Sequence, residues 1–169
     1  NGLVNITGLE GGDKWQYSIN GSTYNAGATL GSTVTTATMA ASLFSQGSNT
    51  ISILETDVAG NTVTNSFTYT LDTVAPSVVV TKPISHNQLQ LYVDDAYGSG
   101  LASINPPPSA YTVHTSDGLT VNVTSVSVSS SSSIITLTLA SYASSLTVTS
   151  VDYTQPTANA VADIAGNLM

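Results

Sequence analysis

Short runs in which apolar and polar residues alternate recur along the whole chain. Trp15, Tyr17 and Ile19 have polar neighbours on both sides, and Phe67 and Tyr69 repeat this pattern further along. Alternation with a period of two places successive side chains on opposite faces, so it predicts half-buried β-strands bounded by Gly, Asn, Asp or Ser turns. The segments predicted as strands are Leu3–Thr7, Lys14–Ile19, Val34–Met39, Asn49–Thr56, Thr62–Thr70, Ser77–Thr81, Leu89–Val93, Ala110–His114, Leu119–Val128, Ile134–Leu139 and Leu146–Tyr153.

Two of these runs change phase within the predicted strand. In Leu119–Val128 the apolar positions slip by one residue between Val123 and Val126, and a similar slip follows Val148. A one-residue slip in a period of two predicts a β-bulge. The serine run Ser129–Ser133 lies between two predicted strands and predicts a hairpin tip. The other local predictions are two short helical turns and one rigid extended loop, at Thr38–Leu43, Ser99–Ile104 and Pro106–Pro108.

A five-residue phrase occurs twice, as Asp57-Val-Ala-Gly-Asn61 and as Asp163-Ile-Ala-Gly-Asn167. Its recurrence after about one small-domain length is typical of tandem arrays. Between the two copies, Pro76 cannot donate a backbone hydrogen bond to a sheet, and it biases Ala75 towards an extended backbone. The stretch Leu71–Pro76 is therefore predicted to be a short, stiff linker.

These patterns together predict an all-β fold of two tandem immunoglobulin-like β-sandwich units joined by that linker. The first unit is predicted to span residues 1–73 and the second residues 74–169. Nothing before Asn1 corresponds to Asp72–Thr81, so we expect the first unit to lack its first strand. The second unit stops at Met169, where the first unit continues with Thr62–Thr70, so we expect the second unit to lack its last strand.

Composition narrows the functional classes. The chain carries 10 acidic residues against 2 lysines and no arginine, for a formal net charge of −8. Binding to nucleic acid or to an anionic membrane surface requires clustered cations, so both are predicted to be absent. Cysteine is absent as well, so stability has to come from core burial or bound metal. An acidic, Ser/Thr-rich chain of this kind is typical of extracellular bacterial proteins, and we expect secretion to the bacterial cell surface.

No enzyme is predicted, because the residues that catalysis requires are missing or scattered. His86 and His114 have no cysteine partner and lie on different segments, and the chain has no Gly-x-Ser-x-Gly nucleophile motif. Asp94 and Asp95 are adjacent in a loop rather than facing each other across a cleft, as a glycosidase pair would. They look more like metal ligands than like catalytic acids.

The acidic residues gather at one predicted pole of the second unit. In a seven-stranded sandwich, the loops after the second and sixth strands share the pole at which the chain enters. Those loops contain Asp94, Asp95 and Asp163, and the linker brings Asp72 to the same end. Carboxylate and carbonyl oxygens at this density suit Ca²⁺, so these four residues are predicted to bind calcium at the domain junction. The alternative is a solvated acidic loop whose Asp residues serve only as turn formers.

The equivalent pole of the first unit has a smaller acidic set. Glu10, Asp13 and Asp57 are predicted to share it, and we consider them a second, less complete Ca²⁺ site because the upstream linker is missing. Neither an EF-hand nor an RTX nonapeptide spacing is present.

Several of these motifs also resemble a known family, the bacterial immunoglobulin-like repeats of giant RTX-type biofilm adhesins. The first unit carries the resemblance in Gly8–Glu10, Trp15–Gly21, Thr56–Asn61 and Leu71–Pro76. The second unit resembles another repeat type of the same proteins through Tyr111–Val113, Ile135–Leu139, Val151–Tyr153 and Asp163–Asn167. The resemblance implies type I secretion and long calcium-stiffened extender arrays, in which neighbouring repeats of one polypeptide are the principal partners.

The sequence is therefore predicted to be a non-enzymatic extender of a cell-surface adhesin, with adjacent domains binding a surface glycan or peptide. Two alternatives remain open: a sugar- or peptide-binding or scaffold module near the adhesin tip, and an S-layer-type envelope repeat. Trp15 is predicted to pack in the core, with sugar stacking as its alternative role. Tyr92 and Tyr97 flank the acidic loop; we expect them to cover the junction, with a small ligand patch as their alternative role.

Overall fold

Alternating β-branched and aromatic residues build two all-β units, which confirms the predicted sandwich-like fold class. The computed structural model describes residues 3–29, 31, 33–98, 100–141 and 147–169, and the chain divides into the units Asn1–Asp72 and Thr73–Met169. In each unit two antiparallel sheets enclose one hydrophobic core.

The described residues of the first unit form six strands in two sheets. One sheet has the order β3-β2-β5-β6 and the other pairs β1 with β4. The strands are β1 (Leu3–Thr7), β2 (Lys14–Ile19), β3 (Asn25–Thr29), β4 (Thr36–Ala40), β5 (Gly47–Thr56) and β6 (Thr62–Leu71).

The core of the first unit follows from the alternation. Val4 and Ile6 of β1 are buried while their neighbours in the strand are exposed. From the opposite sheet, Trp15, Ile51 and Ile53 pack against them, and Trp15 is 5% exposed. The core position predicted for Trp15 is confirmed.

In the second unit, the part of the chain that the structure describes forms seven strands, again in two sheets. One sheet has the order β11-β12-β8-β7 and the other β10-β9-β13. The strands are β7 (Ser77–Ser85), β8 (Gln88–Asp94), β9 (Tyr111–Thr115), β10 (Thr120–Val121), β11 (Val123–Ser129), β12 (Ile134–Leu139) and β13 (Val148–Tyr153).

The second core is built from directly opposed side chains. Leu91 of β8 lies opposite Ile135 of β12, and Leu89 lies opposite Leu137. All four are at most 2% exposed, and Val113 of β9 covers them from the other sheet. By contrast, every residue of β7, at one edge of this sheet, is exposed.

The two units share a five-stranded framework. In the first unit this framework consists of the pair β1-β4 and the three-stranded arrangement β3-β2-β5. In the second unit the equivalent strands, in the same chain order, form the pair β8-β12 and the arrangement β10-β9-β13. The units differ in what surrounds this framework. The second unit adds β7 beside β8 and β11 beside β12, whereas the first adds β6 beside β5.

The predicted bulges are confirmed by register shifts at Val123/Ser125 and at Val148/Ser150. The predicted run Leu119–Val128 is divided, because Thr120–Val121 pairs with β9 and the following residues pair with β12. The serine run forms the predicted hairpin tip between β11 and β12.

Other local predictions differ from the structure. A 3₁₀ turn at Ala41–Leu43 replaces the longer helical turn predicted from Thr38, and residues 100–104 are not helical, since Leu101 bridges to Asp163. The triple proline ends in a second 3₁₀ turn at Pro108–Ala110. Ser99 and Leu146, the first residues of two predicted segments, lie outside the described residues.

Candidate cation sites

The second copy of the repeated phrase is a tight turn closed by its own side chains. The backbone N–H of Asn167 donates to Asp163 Oδ1 at 2.8 Å, and its side-chain Nδ2 donates to Asp163 Oδ2 at 2.7 Å. Gly166 adopts φ +93°, a conformation that favours glycine. The phrase therefore specifies a turn in which one carboxylate accepts two hydrogen bonds and keeps further lone pairs for other partners.

This turn packs against the loop that follows β8. Asp163 bridges to Leu101, and the N–H of Ile164 donates to the carbonyl of Gly100 at 3.0 Å. The N–H of Gly100 in turn donates to Asp95 Oδ2 at 3.2 Å. As a result, Asp163 is only 1% exposed and Asp95 is half-buried beside it.

Three of the four residues predicted for this site lie together. Each of Asp72, Asp95 and Asp163 offers a carboxylate oxygen, and these oxygens lie within 4.8 Å of one another. Asp72 is half-buried and belongs to the segment that leads into β7, while Asp72 Oδ2 and Asp95 Oδ1 are buried atoms. Asp94 is exposed at the end of β8 and lies outside the group.

The geometry and chemistry of this group fit a hard divalent cation. Two oxygens on one Ca²⁺ can be no further apart than twice the metal–oxygen distance, which is about 5 Å. Carboxylates brought this close and withdrawn from water repel one another unless a cation or proton compensates them. With only Lys14 and Lys82 in the chain, side-chain cations are scarce, and both lysines are exposed on strands.

The first copy of the phrase forms the same turn in the first unit. Asn61 donates to both oxygens of Asp57, at 2.8 Å from its N–H and 2.7 Å from Nδ2, and Gly60 adopts φ +92°. Asp57, however, is only partly buried. The hydrogen bonds from Asn61 lower the pKa of Asp57 below its ordinary value, since they stabilise the charged form.

The acidic pole of the first unit surrounds a cavity of about 220 Å³. It is lined by Glu10, Asp13, Glu55, Asp57 and Asn61, together with two residues of β6. Asp13 is 4% exposed, whereas Glu10 is exposed. In the described part of the chain, no three of these carboxylates meet the distance limit that Asp72, Asp95 and Asp163 satisfy.

Glu55 is a member of this pole that the sequence interpretation missed. Its Oε1 accepts the N–H of Glu10 at 2.5 Å. Glu55 precedes Asp57 by two residues at the end of β5, so the period of a strand places both on one face. The two-residue spacing between Glu55 and Asp57 is therefore the sequence signal that could have placed Glu55 at this pole.

The remaining candidates are histidine and tyrosine side chains of the second unit. His114 Nε2 lies 2.9 Å from Asp152 Oδ2 between two paired strands. The hydroxyl of Tyr92 donates to Gln90 Oε1 at 3.1 Å, and Tyr97 is exposed. Within the described ranges, no helix is long and apolar enough to cross a bilayer.

Comparison with known proteins identifies a family for the second unit. Residues 71–158, more than half of the chain, match the SWM repeat, described as a "Putative flagellar system-associated repeat". A comparison with curated proteins gives no match. The chain belongs to this bacterial repeat family, and the matched stretch includes Asp72, Asp94 and Asp95.

Proposed function

We propose that this chain is a non-enzymatic structural module of a secreted bacterial surface adhesin, an extender whose connecting segment is stiffened by Ca²⁺. The observation that carries the proposal is the group formed by Asp72, Asp95 and Asp163, whose oxygens lie within reach of a single ion. Membership of a bacterial repeat family supports the structural part of the role, since such repeats act as arrays. Neighbouring repeats of the same polypeptide would be its main partners.

The mechanism is electrostatic. Without a cation, the buried carboxylate of Asp163 and the half-buried carboxylates of Asp72 and Asp95 repel one another. A bound Ca²⁺ would convert that repulsion into three attractive contacts, and it would attach the segment before β7 to the loop after β8 and to the Asp163–Asn167 turn. Its binding free energy would appear as stability of the second unit.

Carbonyl oxygens and Asn167 would have to supply the remaining oxygen ligands of a calcium shell. Ca²⁺ takes six to eight oxygens, more than three carboxylates provide when each binds through one atom. The Gly- and Ala-containing loops that hold Gly100 and Ala165 would be one source of such oxygens. Among the residues of the second unit, Asp94 would contribute to the local negative charge rather than to the shell.

The test is calorimetric Ca²⁺ titration combined with thermal unfolding, on the full chain and on two matched variants. Asp163→Asn removes the charge from the buried turn, and Asp57→Asn makes the same change in the equivalent turn of the first unit. We expect Asp163→Asn to weaken the tightest Ca²⁺ binding event at least tenfold and Asp57→Asn to leave it in place. If wild type and Asp163→Asn bind Ca²⁺ equally, or if neither binds it, the calcium proposal is wrong.

A further inference from the structure

An open apolar groove runs along β4 in the first unit. It has a volume of about 490 Å³ and lies between β4 and β3. Trp15, Tyr17 and Met39 line it from the core side, and Ala26 and Ala37 line it from the two strands. None of the described residues that line it is charged, although the chain as a whole carries a formal charge of −8.

Trp15, which lines the groove, carries a buried donor with no acceptor. Trp15 is 5% exposed, and its Nε1–H has no hydrogen-bond partner among the described residues. A buried N–H left in this state is unfavourable, because the hydrogen bonds it makes to water in the unfolded chain are lost and not replaced. Gly27 lies directly against the indole, since a Cβ at that position would be 2.2 Å from Trp15 Cε2. The indole is therefore held in place beside the groove.

In the second unit, a strand of the chain itself occupies the position that corresponds to this groove. Strand β4 corresponds to β12, and β12 pairs on its outer edge with β11. From β11, Val123, Val126 and Val128 pack against the core of the second unit. In the described part of the first unit, β4 pairs only with β1, so the edge that β11 occupies on β12 is open on β4.

We propose that this groove binds an extended, uncharged peptide segment of a partner protein, which pairs with the free edge of β4. Edge addition of this kind derives affinity from backbone hydrogen bonds and specificity from alternate side chains. The segment resembles β11 in chemistry: β-branched apolar residues alternate with Ser or Thr, and the apolar set faces Trp15 and Met39. This proposal does not depend on calcium.

Trp15 provides a direct reporter, because it is the only tryptophan in the chain. The probe is a peptide with the sequence of Val123–Ser129, titrated against the full chain while tryptophan emission and acrylamide quenching are followed. We expect a saturable change in emission together with reduced quenching. We also expect slower hydrogen exchange of the β4 amides.

Two variants and two other probes make the test decisive. Ala26→Glu places a charge in the groove at an exposed position and should weaken binding at least tenfold, while Ala59→Glu, in the turn of the repeated phrase, should leave it unchanged. A peptide with Pro at the position of Val126 should not bind.

The proposal would be overturned if the β11 peptide gave no response at millimolar concentration, or if the β11 peptide and the Pro peptide gave equal responses. A response to an oligosaccharide in place of the peptide would overturn it as well.

Discussion

The two copies of the Asp-x-Ala-Gly-Asn turn have the same internal geometry and different surroundings. In both, the asparagine donates to the two aspartate oxygens over the same distances, and the glycine adopts nearly the same φ. Asp57 is partly exposed beside a cavity, whereas Asp163 is 1% exposed and close to two further carboxylates. The five-residue phrase thus specifies a turn. The elements packed around the turn determine whether its aspartate also lies close enough to other carboxylates to share a cation with them.

The largest expected difference between the units is their response to calcium. We expect chelation with EGTA to lower the unfolding temperature of the second unit by about 10 °C or more, since saturation a hundredfold above Kd contributes about 2.7 kcal/mol. The transition followed by Trp15 emission reports the first unit alone and should move less. Calorimetry alongside fluorescence separates the two, and equal shifts in both would contradict the comparison.

A second prediction concerns only the first unit. Gly27→Ala would place a methyl group into the indole of Trp15, so we expect a loss of about 1–3 kcal/mol in the free energy of unfolding. Gly31→Ala is the matched control, because its added Cβ meets only Val34 Cγ2 at an ordinary distance of 3.4 Å. Denaturant unfolding monitored by Trp15 emission measures both. A Gly27→Ala chain as stable as the control would show that β3 does not pack on the indole.

The turns themselves can be compared by Gly60→Ala and Gly166→Ala. In each, an added Cβ meets no atom within 4 Å, so the cost is the positive φ alone, about 1 kcal/mol. We expect equal losses in the two units, measured by calorimetry without calcium. A clearly larger loss for Gly166→Ala would mean that the second turn is held more rigidly by its surroundings than the first.

The smallest expected effect concerns Tyr111, whose hydroxyl is buried with no hydrogen-bond partner among the described residues. Burial, and then the neighbouring Tyr153, raise its pKa well above the ordinary value. A raised pKa contributes stability below pH 10 that is lost as the pH rises through the folded-state value. Tyr111→Phe should therefore change stability by less than about 1 kcal/mol at pH 7 and should flatten the decline above pH 10. Chemical denaturation across pH 7–11 tests this, and an unchanged alkaline decline in the variant would contradict it.

Alternation located most of the strands because the buried faces carry large side chains. Leu89, Leu91 and Val93 alternate strictly, and they are buried as the pattern predicted. Strand β3 was missed since Ala26 and Gly27 present no apolar pattern; the small residue is there because the indole of Trp15 occupies the space. The contact between Gly27 and the Trp15 indole depends on tertiary packing, so the alternation of apolar and polar residues along the chain does not reveal it.

The acidic poles were predictable to the level of the loop. The sandwich topology places the loops of Asp95 and Asp163 at one end of the unit, and this could be predicted from the order of the strands. The sequence could not show that Asp95 joins the group whereas its neighbour Asp94 does not, because adjacent residues at a strand end differ in exposure only through the path of the loop. Glu55 was not predicted at its pole, because it belongs to strand β5 whereas the predicted acidic set came from turns and loops.

The fully exposed edge strand β7 has a consequence for solubility. Val78, Val79 and Val80 are 39–58% exposed, and an open edge with such residues is a template for aggregation. The same strand carries Lys82 and Pro83 towards its other end. Proline has no amide proton to offer a new strand, and a lysine would have to lose its hydration to enter a sheet. Lys82 and Pro83 therefore oppose pairing of β7 with a strand of another chain, so that chains at high local concentration remain separate and do not form one continuous sheet.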